Sequence, residues 1–254
     1  MIRLKSKEEI KIMKEGGARH AEILKLVAKK VAPGVSTKEL DDYARKLIKE
    51  GGDKSAFLGY TPEGVSYPYP AALCVSINDE IVHGIPNKKV ILQEGDIVSL
   101  DLGLAHKGLI TDGAITVPVG KISKEAKQLI SVTKKALDVA IKAAKLGNTT
   151  GDIGHAVESF VKPFGYGIVK ILSGHGVGYS VHEDPYVPNY GKPGTGEKLV
   201  PGMVIAIEPM LNLGSEEVCS TEDEYTYVTE DESISAHFEH TVAITEKGAI
   251  VLTK

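Results

Sequence analysis

Gly95-Asp96-Ile97-Val98-Ser99-Leu100-Asp101 and Gly202-Met203-Val204-Ile205-Ala206-Ile207-Glu208 repeat one pattern: a glycine, an apolar run and a carboxylate at its end. Three further blocks repeat in the same order around them. Gly34-Val35-Ser36-Thr37-Lys38-Glu39-Leu40 aligns with Gly147-Asn148-Thr149-Thr150-Gly151-Asp152-Ile153, and His83-Gly84-Ile85-Pro86 aligns with His182-Glu183-Asp184-Pro185. Asp112-Gly113-Ala114-Ile115-Thr116-Val117 aligns with Glu239-His240-Thr241-Val242-Ala243-Ile244. The spacings between blocks differ, so insertions separate them. Four matches in one order still imply an internal duplication. Neither half could bury its sheet face alone. The expected architecture is one pseudo-symmetric α+β domain over residues 1–254, with halves at about 1–120 and 121–254.

Each half reads long helix, short helix, then strands. Ser6-Lys7-Glu8-Glu9 is a capping box opening an amphipathic helix that Pro33-Gly34 should end. Ser36-Thr37-Lys38-Glu39 is a second box, and its helix should stop at Gly51-Gly52. Residues 53–119 alternate short apolar runs with Gly, Pro and Asn, as strands and turns do. In the second half, Ser123 opens a long helix ending near Gly147, and a shorter one runs from about Thr150 to Val161. Composition agrees with a globular chain: 254 residues, 42% hydrophobic and 25% charged, enough to bury a substantial core. The formal net charge of -4, without long runs of one sign, argues against nucleic-acid binding. Two cysteines do not make a disulfide framework and fit a reducing compartment. No segment approaches the ~20 apolar residues of a membrane span, and the N-terminus lacks a signal-peptide core. A cytoplasmic location is expected.

The terminal acids carry the chemistry. Asp101 and Glu208 end apolar strands that would bury them, and burying an unpaired carboxylate is expensive. For one isolated acid a salt bridge or surface turn is the better reading. A hairpin changes that. If the chain turns at Ala105-His106-Lys107-Gly108, so that 105 faces 108, Asp101 faces Asp112 directly, at about 5 Å between Cβ atoms. Two such charges need a cation or a shared proton between them. Glu208 and Glu239 occupy the equivalent places in the second half. Four converging carboxylates carry too much charge for one divalent ion, whereas a pair of ions some ~3.5–4 Å apart would neutralise them. His175, in Ser173-Gly174-His175-Gly176-Val177-Gly178, suits equally a ligand or a turn histidine. His83 and His182 occupy matching repeat positions and could flank the acids. His20, His106, His155, His237 and His240 are read as structural, with His240 pointing away from Glu239's face and His237 sharing it.

These residues resemble the methionine aminopeptidase family along essentially the whole chain. The matching stretches are Cys74 through Pro86, Asp101 with Asp112, Gly174 through Gly178 with His182-Glu183-Asp184-Pro185, Pro201-Gly202-Met203 with Ile207-Glu208-Pro209-Met210, and Phe238-Glu239-His240-Thr241. The resemblance implies the pseudo-twofold "pita-bread" fold, an antiparallel sheet flanked by two helix pairs. It implies five metal ligands: Asp101, Asp112, His175, Glu208 and Glu239. Asp112 and Glu239 would bridge two divalent ions, Asp101 would hold one, and His175 and Glu208 the other. Mn, Fe, Co and Zn all suit such donors. A water bridging the pair, its pKa lowered, would attack the first peptide bond. Glu208 would move the proton, and His83 and His182 would contact the scissile amide and its oxyanion. Tyr60, Tyr69, Cys74 and Tyr225, with His83, fall where the family lines its methionine pocket. Val181 replaces an aromatic residue, Phe57 a smaller one and His237 a frequent glutamine. Asn78, Glu80 and Ser235 match positions that bind a monovalent cation in relatives. The implied substrate is the initiator methionine of nascent chains with a small second residue, cut near the ribosome by a monomer of the short bacterial type, with no membrane and no specific nucleic-acid partner. The competing readings are an Xaa-Pro peptidase with the same metals and a binding protein that has lost catalysis. The first usually carries a large extra N-terminal domain, and the second typically lacks ligands.

Overall fold

The computed structural model describes residues 1–62 and 64–254. Four α-helices, α1 (Lys7–Ala28), α2 (Thr37–Glu50), α3 (Lys124–Ala143) and α4 (Thr150–Val161), lie outside the sheets. Both expected capping boxes form. Glu9 N–H donates to Ser6 Oγ at 3.2 Å while Ser6 N–H donates to Glu9 Oε2 at 2.7 Å, and Ser36 and Glu39 repeat this. A third box, Thr149 with Asp152, opens α4. Helix α1 stops at Ala28 and α3 at Ala143, both short of the Gly and Pro signals that follow them.

The first sheet is built from β1 (Leu73–Ile77), β2 (Ile97–His106) and β3 (Leu109–Pro118), with β2 in the middle and the two-residue strand Lys54–Ser55 paired to the end of β2. The second half supplies β4 (Gly174–Gly176), β5 (Glu183–Val187), β6 (Val204–Ile207), β7 (Met210–Asn212), β8 (Ser235–His237), β9 (His240–Thr245) and β10 (Gly248–Val251). Its main sheet runs β10-β9-β6-β4-β5, and β7 pairs with β8 apart from it. Helices α1 and α2 bury Leu24, Val27, Leu40 and Ala44 against Val98, Leu100 and Leu102 of β2. Helices α3 and α4 bury Leu129, Ala136, Ile153 and Val157 against Ile205, Ile207, Val242 and Ile244. Because strand side chains alternate, the residues between these apolar positions face the other way, into a cleft.

The β2–β3 hairpin corrects the expected register by two residues. His106 pairs with Leu109, Asp101 with Ala114 and Asp112 with Gly103. The two-residue turn is Lys107-Gly108, not His106-Lys107, and both turn residues have positive φ, 49° and 84°. A hairpin turn of this kind wants glycine at a central position, which selects the observed register. His106 therefore ends a strand, with Nδ1 2.7 Å from Asp53 Oδ1. A shift of two keeps every side chain on its face, so Asp101 and Asp112 remain together as diagonal neighbours.

Where the halves meet, β3 runs beside the start of β9. Glu239 N–H donates to Ala114 O at 2.9 Å, Asp112 N–H to Thr241 Oγ1 at 2.8 Å, and Thr241 Oγ1–H to Asp112 O at 2.7 Å. The backbones of two acids, one from each half, are pinned at this seam.

Candidate active site

A cavity of about 600 Å³ opens over the seam. It brings together the expected metal, catalytic and pocket residues: Asp101, Asp112, His175, Glu208 and Glu239, then His83 and His182, then Tyr60, Tyr69, Cys74 and Tyr225; Asn78, Glu80 and Ser235 do not line it. His237 lies among them, which corrects its structural reading. One ligand atom each from Asp112, His175 and Glu239 lie within 4.8 Å of one another, and so do atoms of Glu208, His237 and Glu239. His237 precedes Glu239 by two residues on an extended chain. That same-face spacing was the signal available in the sequence. His240, one residue on, turns away, with Nδ1 3.0 Å from Thr253 Oγ1.

The acids are held in an environment hostile to their charge. Burial raises the Asp101 carboxyl to about 7, with nearby Glu208 pushing the same way against His237. Burial first, then Asp101 and Glu208, raises Asp112 well above the usual range. Glu239 is raised likewise by burial and then by Asp112. Glu208 behaves differently. It too is desolvated, but His237, His175 and His182 outweigh that and hold it below the usual range. Among the described residues, Asp101 Oδ1, Glu239 Oε1 and both ring nitrogens of His237 have no hydrogen-bond partner. Orphaned oxygens on clustered buried acids, with imidazole nitrogens beside them, are the donor set of a divalent first-row metal site. The residues fit a metal pair.

Local structure presents each group. His175 sits on β4 between two glycines, and a Cβ on Gly176 would stand 2.0 Å from Asp184 O. Its Nδ1 is 3.0 Å from Gly176 O, so Nδ1–H donates there and Nε2 faces Glu208 Oε1 at 3.4 Å. His83 has φ of 60°, a left-handed conformation that turns its ring toward the cleft. His182 packs its ring edge-on to His175 at 4.5 Å, and its Nδ1 is 3.0 Å from the Tyr60 hydroxyl. Desolvation, then His175 and His83, hold the His182 imidazole far below its usual range, so it is neutral at pH 7.

The loop from Gly178 to His182 is tied down from the N-terminus, which sequence reading missed. Glu183 Oε1 accepts from Tyr179 N–H at 2.6 Å and Ser180 N–H at 2.8 Å, while Lys5 Nζ donates to Glu183 Oε2 at 2.6 Å. The Lys5 and Glu183 side chains are only 1% and 5% exposed, so this is a buried ion pair. Lys5 passes directly over Gly178, whose φ of +143° and missing side chain leave room for it. The Tyr179 hydroxyl donates to Glu9 Oε1 at 2.7 Å, on the first turn of α1. No motif announces a contact between residues 178 positions apart.

The comparisons agree with this geometry. The sequence model of metallopeptidase family M24 matches residues 11–246. The chain belongs to metallopeptidase family M24. Within M24, the methionine aminopeptidase of Aquifex aeolicus is 48% identical over 256 residues, covering 100% of this chain and 99% of that protein. The crystal structure of a methionine aminopeptidase from Thermotoga maritima superposes with a TM-score of 0.95 at 44% identity, over 100% of both chains. The prolidase of Pyrococcus furiosus shares the fold more distantly, with a TM-score of 0.77, 26% identity and coverage of 99% of this chain but 65% of that one. The M24 chain thus has the pita-bread fold, as its resemblance implied.

Proposed function

We propose that this M24 chain is a methionine aminopeptidase of the short bacterial type, removing the initiator methionine from nascent chains whose second residue is small. The observation that carries the reading is full-length identity of 48% to a protein of that name, joined to one cavity lined by the expected metal, catalytic and pocket residues. Asp112 and Glu239, pinned at the seam, would bridge two divalent ions, with Asp101 on one and His175 and Glu208 on the other. When bound, such a pair supplies Lewis acidity and lowers the pKa of water.

The chain's own groups do the rest. Glu208, kept ionised by its imidazole neighbours, accepts the proton of the attacking water and returns it to the leaving amine. The Tyr60 hydroxyl lies 3.0 Å from His182 Nδ1; with the hydroxyl as donor the imidazole carries its proton on Nε2, where it can donate to the developing oxyanion. His83 flanks the scissile amide from the opposite half. Tyr69 and Tyr225 tie their hydroxyls back to Gly84 O and Tyr67 O, so their rings offer apolar surface. With Cys74 and Tyr60 they form a wall suited to a thioether. Phe57 and Val181 pack in this same cluster, so a larger residue at one position and a smaller one at the other offset each other in volume.

We place the enzyme in the cytoplasm as a monomer working near the ribosome; among the described residues no helix is long and apolar enough to cross a membrane. A monovalent cation beside Asn78 and Ser235 belongs to the reading. Support for it is that Ser235 N–H meets Asn78 O at 2.7 Å and Ser235 Oγ is buried. A metal-reconstituted assay on Met-Ala-Ser, Met-Leu-Ser and Ala-Pro peptides tests the activity. Cleavage of the first alone is expected, and preference for Ala-Pro would make the chain a prolidase-like member instead.

A further inference from the structure

His237 is the imidazole in the cleft to which the proposed chemistry gives no contact of its own with metal or substrate. Its side chain is 2% exposed, and neither ring nitrogen has a hydrogen-bond partner among the described residues. Its backbone is not free to move aside. His237 N–H donates to Thr116 Oγ1 at 2.8 Å, Thr116 Oγ1–H donates to His237 O at 2.8 Å, and His237 pairs with Met210 across β7 and β8. The chain holds an unsatisfied imidazole against the acids, a costly arrangement unless something else meets its lone pair.

The distances say what that is. His237 Nε2 stands 3.6 Å from Glu208 Oε2 and 3.9 Å from Glu239 Oε2. Hydrogen bonds to oxygen close at about 2.7–3.2 Å, so these contacts are too long for them. Nitrogen and oxygen ligands bind a first-row ion at about 2.0–2.2 Å, so two ligands of one ion stand roughly 3–4 Å apart. His175 Nε2 and Glu208 Oε1, 3.4 Å apart, show the same spacing. Resting on the dinuclear reading above, we propose that His237 is a further metal ligand, so that the ion held by His175 and Glu208 has two imidazoles and its partner has none.

The donor chemistry then divides the pair. Asp101, Asp112 and Glu239 offer only oxygen, which suits Mn and similar hard ions. His175, His237 and Glu208, with the shared Asp112 and Glu239, offer mixed nitrogen and oxygen, which suits Zn, Co and Fe. The nitrogen-rich position fills first with a borderline metal, and the oxygen position is the weaker one for such an ion.

X-ray absorption at the zinc edge reads this directly on the wild-type protein. With one equivalent of Zn bound, two imidazoles per zinc are expected, and with two equivalents the average falls to one. A single imidazole at one equivalent overturns the proposal without recourse to any variant. Calorimetric titration of His237→Gln supplies the second measurement. Its first zinc should bind weaker by at least the roughly 10–100-fold that loss of a mere outer-shell partner costs, while the second is little changed. Unaltered first-site affinity would likewise overturn the assignment. His175→Gln is the control that must lose one imidazole. Uptake of fewer than two ions by the wild type would instead sink the dinuclear reading, and the two failures are thereby distinguishable.

Discussion

The two halves build the same acidic pair by different means. The first uses a regular hairpin of two ten-residue strands closed by Lys107-Gly108. Asp101 and Asp112 are diagonal neighbours on it, and it contributes carboxylates alone. In the second half, strands of three to six residues break at Glu208-Pro209 and Phe238-Glu239. Continuing the Ile207–His240 pairing by one step would set Glu208 against Glu239 directly. A continuous hairpin can present only its alternate residues, at fixed spacing. Broken strands let His175, Glu208 and His237 arrive from separate segments, so imidazoles can join the acids. The cost is that local ladder bonds are replaced by long-range ties, such as Lys5 to Glu183.

The seam between the halves should be where damage is greatest. Asp112→Asn removes the charge proposed to bridge the two ions, contributed by the hairpin half, while keeping its volume and both Thr241 contacts to its backbone. Losing a metal's stabilisation of transition-state charge forfeits several kcal/mol, so turnover should fall by at least about a thousandfold. Circular dichroism should remain that of the wild type. A folded Asp112→Asn protein with near-normal turnover would contradict the seam's importance.

His182→Ala probes the irregular half beyond the ligands. Loss of one oxyanion donor typically lowers kcat by ~10²–10³, and metal content measured by atomic absorption should stay the same. A variant emptied of metal would show that His182 holds an ion rather than the oxyanion.

How much of this was legible in the sequence follows the same division. The regular half was readable, because alternation and one glycine-containing turn dictate it, and even a register two residues off kept Asp101 and Asp112 on the same face. Capping boxes fixed the helix starts, since Ser and Glu three apart satisfy each other locally. The irregular half was harder. Resemblance located His175 and His182, but His237 was set aside although its spacing from Glu239 placed it on the cleft side. The Lys5–Glu183 pair could not be read at all, because both partners are buried by tertiary packing that no local pattern encodes.

That pair tests whether the irregular half depends on its long-range ties. Lys5→Met leaves buried Glu183 with only the more distant Arg3 guanidinium, 4.0 Å away, and breaking a buried pair costs about 3–5 kcal/mol, so a loss toward the lower end of that range is expected. Replacing both partners is much milder than breaking the pair, so Lys5→Met combined with Glu183→Gln should recover most of the loss. Urea denaturation of the single and double variants decides it. Equal destabilisation of both would mean the loop is held by its Tyr179 contacts instead.

The smallest effect expected lies behind the seam. Strand alternation sends Thr111 and Gly113 to the helix side of β3 while Asp112 faces the cleft, and His20 of α1 packs there. Its ring nitrogens lie 3.4 Å from Gly113 O and 3.4 Å from Thr111 Oγ1, long contacts that hold a charge poorly. Burial, and then nearby His240, outweigh those contacts and lower the His20 imidazole to about 4. The unfolded chain protonates this histidine near its ordinary value of ~6.5, so between these two values the unfolded state binds more protons. Stability from this group is therefore whole above about pH 6.5 and drains away as pH falls toward 4, by about 3 kcal/mol in total. His20→Leu cannot titrate. Acid effects on the metal ligands are common to both proteins and cancel in the difference between them. The stability of the wild type relative to His20→Leu should thus be constant from pH 8 to about 6.5 and decline steadily below it. A difference that stays level down to pH 4.5 would mean that His20 accepts its proton in place, and that the histidine behind the seam is as adaptable as those in front of it.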